Sequence, residues 1–104
     1  DKDSDLYEEI TILDKYIINF LSEEQKDIAN SLAQKNDHIL NADQFTQTDK
    51  GLVIKDSIGW IACTKNTIID SGDHSILTAN VYDTKISDGY PLVFWGSSYR
   101  SLLR

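Results

Sequence analysis

The strongest constraint on this chain lies between residues 58 and 86. Two long stretches, Ile58–Ile69 and His74–Ile86, are rich in β-branched and aromatic residues, which suit a pleated sheet better than a helix. Between them stands Asp70-Ser71-Gly72-Asp73. Glycine takes positive φ without cost and aspartate bonds its local backbone, so this segment reads as a tight turn. Together the three stretches predict a long antiparallel hairpin. Two strands alone are marginal in water, so the chain must build more sheet around them.

The rest of the sequence offers that sheet. Tyr16–Leu21 reads as a buried strand, Leu52–Ile54 as a short one, and Pro91–Trp95 as the last, entered through the turn Ser87-Asp88-Gly89. Leu6, Ile10, Leu13 and Ile17 fall near helical spacing and predict a short helix over about 6–14. Ser22-Glu23-Glu24-Gln25 has the form of a capping box, in which the Ser22 hydroxyl accepts from the Gln25 amide and the Gln25 side chain reaches back. The helix it opens should run to about Gln34, anchored by Ile28 and Leu32. Residues 35–50 are polar and read as a long loop tethered by Phe45. Strands that follow one another without helical crossovers form an antiparallel sheet that curls into a barrel or sandwich. The fold class is therefore α+β, mostly β.

Composition narrows the function. At 104 residues the chain fits one domain, 1–104. Seventeen acids against ten bases give a net charge of −7, which argues against nucleic acid and against an anionic membrane surface as partners. A phosphate-bearing cofactor needs only a local pocket of donors and stays open. Cys63 is the single cysteine, so neither an intrachain disulfide nor a cysteine-built zinc site is available. Two histidines and scattered acids show no metal-ligand spacing. No P-loop, dinucleotide fingerprint or nucleophile elbow is present. No bilayer-spanning run or signal peptide is visible, which makes the cytoplasm the default expectation. There is no methionine, so the chain is expected not to begin at its own translation start.

Four segments carry a family resemblance. They are Tyr16-Ile-Ile-Asn19-Phe-Leu-Ser-Glu-Glu-Gln25, Asp56-Ser-Ile-Gly-Trp60-Ile-Ala-Cys63, Gly72-Asp73-His74-Ser75-Ile76-Leu77, and Pro91-Leu-Val-Phe-Trp-Gly96-Ser-Ser-Tyr99-Arg100. In order and spacing they resemble the flavin reductase-like family, whose members reduce flavin with NAD(P)H. Nothing here resembles that family's further strands before the first helix, which carry a Thr/Ser-rich loop for the flavin. The resemblance therefore implies the C-terminal portion of such a domain, a Greek-key antiparallel split β-barrel. It implies FMN or FAD as cofactor and NADH or NADPH as cosubstrate. It also implies a homodimer, with a flavin-dependent monooxygenase as a further partner.

The same resemblance implies roles for residues. His74 would lie beside flavin and nicotinamide, with Asp73 orienting it. Asn19, Gly72, Trp95, Tyr99 and Arg100 would join His74 around the cofactor. Each has a plainer reading. His74 can be an inert turn histidine, and Asp73 and Gly72 can serve only turn geometry. Asn19, in an otherwise apolar strand, is either bonded to protein backbone or facing a polar ligand. Trp60, Phe94, Trp95 and Tyr99 read as core or dimer interface, with Trp95 and Tyr99 the nearest to a ring system. Arg100 can pair with phosphate or simply face solvent. Cys63 reads as a small buried apolar residue with no histidine near it to activate the thiol.

Overall fold

The computed structural model describes residues 14–33 and 40–101. Seven strands and one helix follow in order: β1 (Lys15–Phe20), α1 (Lys26–Leu32), β2 (Phe45–Thr48), β3 (Gly51–Ile54), β4 (Gly59–Ser71), β5 (His74–Ile86), β6 (Leu92–Trp95) and β7 (Ser98–Ser101). Its last position aside, the helix expected over residues 6–14 falls outside the described residues.

The long hairpin forms as its sequence demands. β4 and β5 pair antiparallel from Gly59 opposite Ile86 to Ser71 opposite His74. Gly72 has φ 62°, the first-position positive φ that a type II′ hairpin turn needs. Register shifts between Ala62 and Cys63 and between Lys65 and Thr67 mark bulges, which bend and twist the ribbon. β1 lies on the other side of β4, Tyr16 opposite Cys63 and Phe20 opposite Gly59, giving the sheet order β1-β4-β5.

Two further hairpins flank this sheet, and both correct the sequence reading. The polar stretch 35–50 is not all loop: Phe45–Thr48 pairs with Gly51–Ile54 as β2–β3. Four residues with threonines beside Phe45 suffice once Gly51, at φ 137°, turns the chain back. Nor is Pro91–Trp95 the last strand. Gly96 and Ser97 both take positive φ, 62° and 64°, as a two-residue type I′ turn requires, and β7 returns along β6. Among the described residues the strands form three separate antiparallel sheets, of three, two and two strands, and no sheet closes on itself.

The helix also starts later than expected. Ser22 is held in a β-bridge with Pro91, so α1 opens only at Lys26. The Gln25 side chain does reach back, accepting from the Ser22 N–H at 2.9 Å. The Gln25 N–H, however, donates to the Ser22 carbonyl and not to its hydroxyl. Gln25 Nε2 donates to the Lys55 carbonyl at 2.7 Å, which ties the helix to the end of β3. Among the described residues the buried apolar ones are Ile28 on α1, Ile54 on β3, and Ala62 and Cys63 on β4.

Candidate functional site

The functional candidates divide between the two ends of the β4–β5 hairpin. At the tip, the His74 Nδ1 stands 2.7 Å from the Asp73 carboxylate, and the side chains are 64% and 86% exposed. Ser75 Oγ donates to Asp70 at 2.9 Å, latching the two strands just behind the turn. A side chain at Gly72 would meet nothing within 4 Å, so the tip is open on that side. His74 is the one imidazole among the described residues. It lines none of the three cavities described below.

Asn19 belongs to the other end. It lies opposite Trp60 on β4, eleven residues from Ser71, which is roughly 36 Å along a strand at about 3.3 Å per residue. Its amide ties β1 to β3: Nδ2 donates to the Leu52 carbonyl and Oδ1 accepts from the Ile54 N–H, both at 3.0 Å.

The β6–β7 hairpin sits at the same end as Asn19. Leu92 N–H donates to the Leu21 carbonyl and Glu23 N–H to the Tyr90 carbonyl, while the Ser101 hydroxyl bonds Glu23. Tyr99 packs edge-on against Phe94, with ring centroids 5.1 Å apart. Trp95 is 74% exposed, and Arg100 Nε donates to its carbonyl at 2.9 Å. The open end of the β6–β7 hairpin is thus tied to the residues that follow β1, while Gly72, Asp73 and His74 stand at the tip of the β4–β5 hairpin.

The cavities open at the end with Asn19. One, of about 360 Å³, is a nearly wholly apolar slot walled by Phe20, Ile58, Trp60, Ile61 and Ile86. A neighbour of about 580 Å³ shares Gly59, Trp60 and Lys85 with it and adds Lys55, with Asp56 and Asp88 on the same wall. Neither lysine pairs with a carboxylate among the described residues. A third, of about 720 Å³, lies under the turn after β1 and is lined by Glu23, Glu24, Gln25, Ile28 and Tyr90. The sequence reading takes Trp60 as core or dimer interface and gives Phe20, Ile58 and Ile86 no part in a site. They converge from three segments, so no local signal marks them.

Lys50 adds an ion pair near Trp60. Its ammonium contacts the Asp83 carboxylate and stands 5.9 Å from the Trp60 ring centroid. The hydrogen bond from Lys50 holds the Asp83 carboxyl below the usual carboxylate range, helped by the Thr84 N–H, and Asp83 in turn raises Lys50. At Cys63 burial alone pushes the thiol up, away from a reactive thiolate. Among the described residues no group of three or more His, Cys, Asp or Glu side chains could hold a metal ion.

Comparison with known proteins decides the family. The model of the flavin reductase like domain matches residues 1–103. The chain belongs to that family. A flavin reductase-like chain at this length is partial against its curated relatives: it is similar over 81 residues, at 35% identity, to a probable flavin reductase of Rhizobium meliloti. That match takes in 77% of this chain and 26% of the relative. It is 31% identical, with the same coverage of both, to the reductase component of a flavin-dependent trigonelline monooxygenase from Acinetobacter baylyi. A solved flavin reductase in its native state is 30% identical, with a TM-score of 0.84, over 97% of this chain and 65% of that one. The mostly β arrangement of this flavin reductase-like chain is therefore the arrangement of its solved relative.

Proposed function

We propose that this chain is part of an NAD(P)H-dependent flavin reductase that reduces FMN or FAD and passes the reduced flavin to a monooxygenase. Family membership over nearly the whole chain supports the reading, as does a relative that is itself the reductase component of a monooxygenase. We read residues 1–104 as one domain, a Greek-key split barrel, acting as a cytoplasmic homodimer. Among the described residues no helix is long and apolar enough to cross a membrane.

The residues present fit a flavin. The apolar slot against Trp60 suits a flat ring system, and Lys55 and Lys85 beside it suit a phosphate. Arg100 keeps its terminal amino groups for an anion while its Nε is bound to Trp95. Bound flavin supplies the two-electron acceptor for the hydride of the reduced nicotinamide. The chain's own part is orientation. Asp73 accepts from Nδ1–H of His74 and fixes that tautomer, which turns Nε2 outward as an acceptor for a carboxamide N–H. When protonated, the same nitrogen holds a proton at the site. In this reading Trp95 and Tyr99 form the rim of the ring pocket, and Asn19 shapes it by fixing β3 to β1.

The single observation that carries this reading is an imidazole held by a carboxylate within the Gly72-Asp73-His74 segment. Purified protein is mixed with FMN or FAD and with NADH or NADPH, and nicotinamide absorbance is followed. The expected outcome is flavin-dependent consumption that falls about 100-fold in His74→Ala, the scale of a lost proton-handling group. Retained flavin without consumption in the wild type would replace the reductase with a passive flavin-binding module.

A further inference from the structure

The β2–β3 hairpin lies against one face of the three-stranded sheet and is fixed to it unequally. Paired residues share a face of a sheet, and so do positions two apart on a strand. Asn19, Trp60 and Lys85 therefore form one row across β1, β4 and β5, with Ile17, Ala62 and Asp83 in the next row of the same face. On the β1 side the hairpin is clamped. Asn19 bonds the backbone of Leu52 and Ile54, and a Cβ added at Gly51 would stand 3.3 Å from the Ile17 side chain. Toward β5 its tie among the described residues is the contact of the Lys50 ammonium with the Asp83 carboxylate.

The two sides hold differently. The Asn19 clamp is a pair of directed hydrogen bonds to backbone. The Lys50 and Asp83 side chains are 35% and 39% exposed, so water and salt compete for their contact. Its geometry is nevertheless prepared. Thr48 Oγ1 accepts from the Lys50 N–H and donates to the Gly51 carbonyl, which sets the turn. The ammonium then stands over the Trp60 ring, where the ring quadrupole attracts it. The cavity of about 580 Å³ has Thr46, Val53 and Ile54 of the hairpin on its wall, together with Trp60 and Lys85 of the sheet. Neither Lys50 nor Asp83 lines that cavity or its two neighbours, so the pair acts on it through the hairpin.

We infer that the β2–β3 hairpin is a strap over Trp60 that turns about its Asn19 clamp, and that Lys50 and Asp83 are positioning residues whose contact fastens its free side and sets how fast a flavin enters and leaves the cavity beneath. This inference rests on the reductase reading above and adds the route of flavin exchange. A reductase that hands reduced flavin on must release it in every cycle. A strong fastener would hold back that release, and none would leave the cavity open to water. A half-exposed ion pair meets both demands, since it closes the strap and parts readily.

Rates of FMN binding separate a fastener from a binding group. In stopped flow, Lys50→Met and Asp83→Asn are each expected to raise FMN association and dissociation together by about threefold, the scale of one part-exposed ion pair, with affinity kept within about twofold. Lys50→Arg keeps the charge and should restore wild-type rates. A second measurement needs no flavin. The chain has two tryptophans, so in a Trp95→Phe background the emission is that of Trp60. Its quenching by acrylamide should be stronger in Lys50→Met and Asp83→Asn than in the parent. As salt is raised from about 0.01 M to about 1 M, the parent should climb toward the two variants while they stay level. Unchanged FMN rates in both variants, or faster dissociation alone, would overturn the strap. So would quenching that is the same in parent and variants at every salt concentration. A wild type that takes up no FMN yet shows the expected quenching sinks the reductase reading and supports the strap itself.

Discussion

At its base the β4–β5 ribbon keeps Ala62 and Cys63 out of water and is flanked by β1, whereas toward the tip, among the described residues, no strand lies beyond its own pair and every β4 residue is exposed. Backbone pairing is continuous through both halves apart from two bulges. What differs is what the side chains meet. The base is fixed by contacts that cross the chain: Asn19 to β3, Gln25 to Lys55, Lys50 to Asp83. The tip carries local ones, among them Ser75 to Asp70 and His74 to Asp73. Binding surfaces gather where long-range contacts hold the backbone, and the one polar dyad of the tip is carried outward on a ribbon. The difference teaches that rigidity and reactivity here belong to different parts of the same two strands.

Two glycines sharpen the contrast most. At Gly59 an added Cβ would stand 2.5 Å from the Lys85 carbonyl oxygen, a backbone atom that cannot step aside. Gly59→Ala is expected to destabilise by about 1–3 kcal/mol, the range of an overpacked core, read as a lower urea midpoint. At Gly72 the space is open and only the left-handed φ of 62° resists a side chain. Gly72→Ala should cost about 1 kcal/mol and leave the base untouched. Equal losses at the two positions would break the division between base and tip.

A smaller effect concerns pH. Asp83 is held below its usual value by Lys50, so its contribution is present above the unfolded carboxylate value near 3.8 and lost as pH falls through the depressed folded value. Lys50 is raised, so its contribution is complete below about 10.5 and lost as pH rises through the folded value. The denaturation midpoint of Asp83→Asn should therefore lie slightly below wild type at neutral pH and converge with it in acid. A constant gap down to strong acid would show that the pair does not couple the β2–β3 turn to β5.

Much of this was legible in the sequence, and the exceptions have causes. β5 runs over the residues expected because His74–Ile86 is long, β-rich and bounded by a turn with a stated mechanism. β2 was hidden because Phe45-Thr-Gln-Thr is short and set among polar neighbours, and its strand character comes from pairing with β3. β7 was hidden behind Gly96-Ser97, a turn whose second residue carries no strong positive-φ signal. Asn19 was visible as a polar residue in an apolar strand, but its partners lie 33 and 35 residues away. The slot could not be seen, since Phe20, Trp60 and Ile86 meet only after three segments have folded. The separation of His74 from Asn19 along β4 follows from strand length.

Equilibrium titration of FMN into wild type and His74→Ala tests the central division most directly. With the ring pocket at the base and the imidazole on the remote tip, the two proteins should bind FMN within about twofold of each other while only the wild type turns over NADH. A tenfold or greater loss of FMN affinity in His74→Ala would make the imidazole a group that holds the flavin and not one that positions the nicotinamide, and would contradict the account.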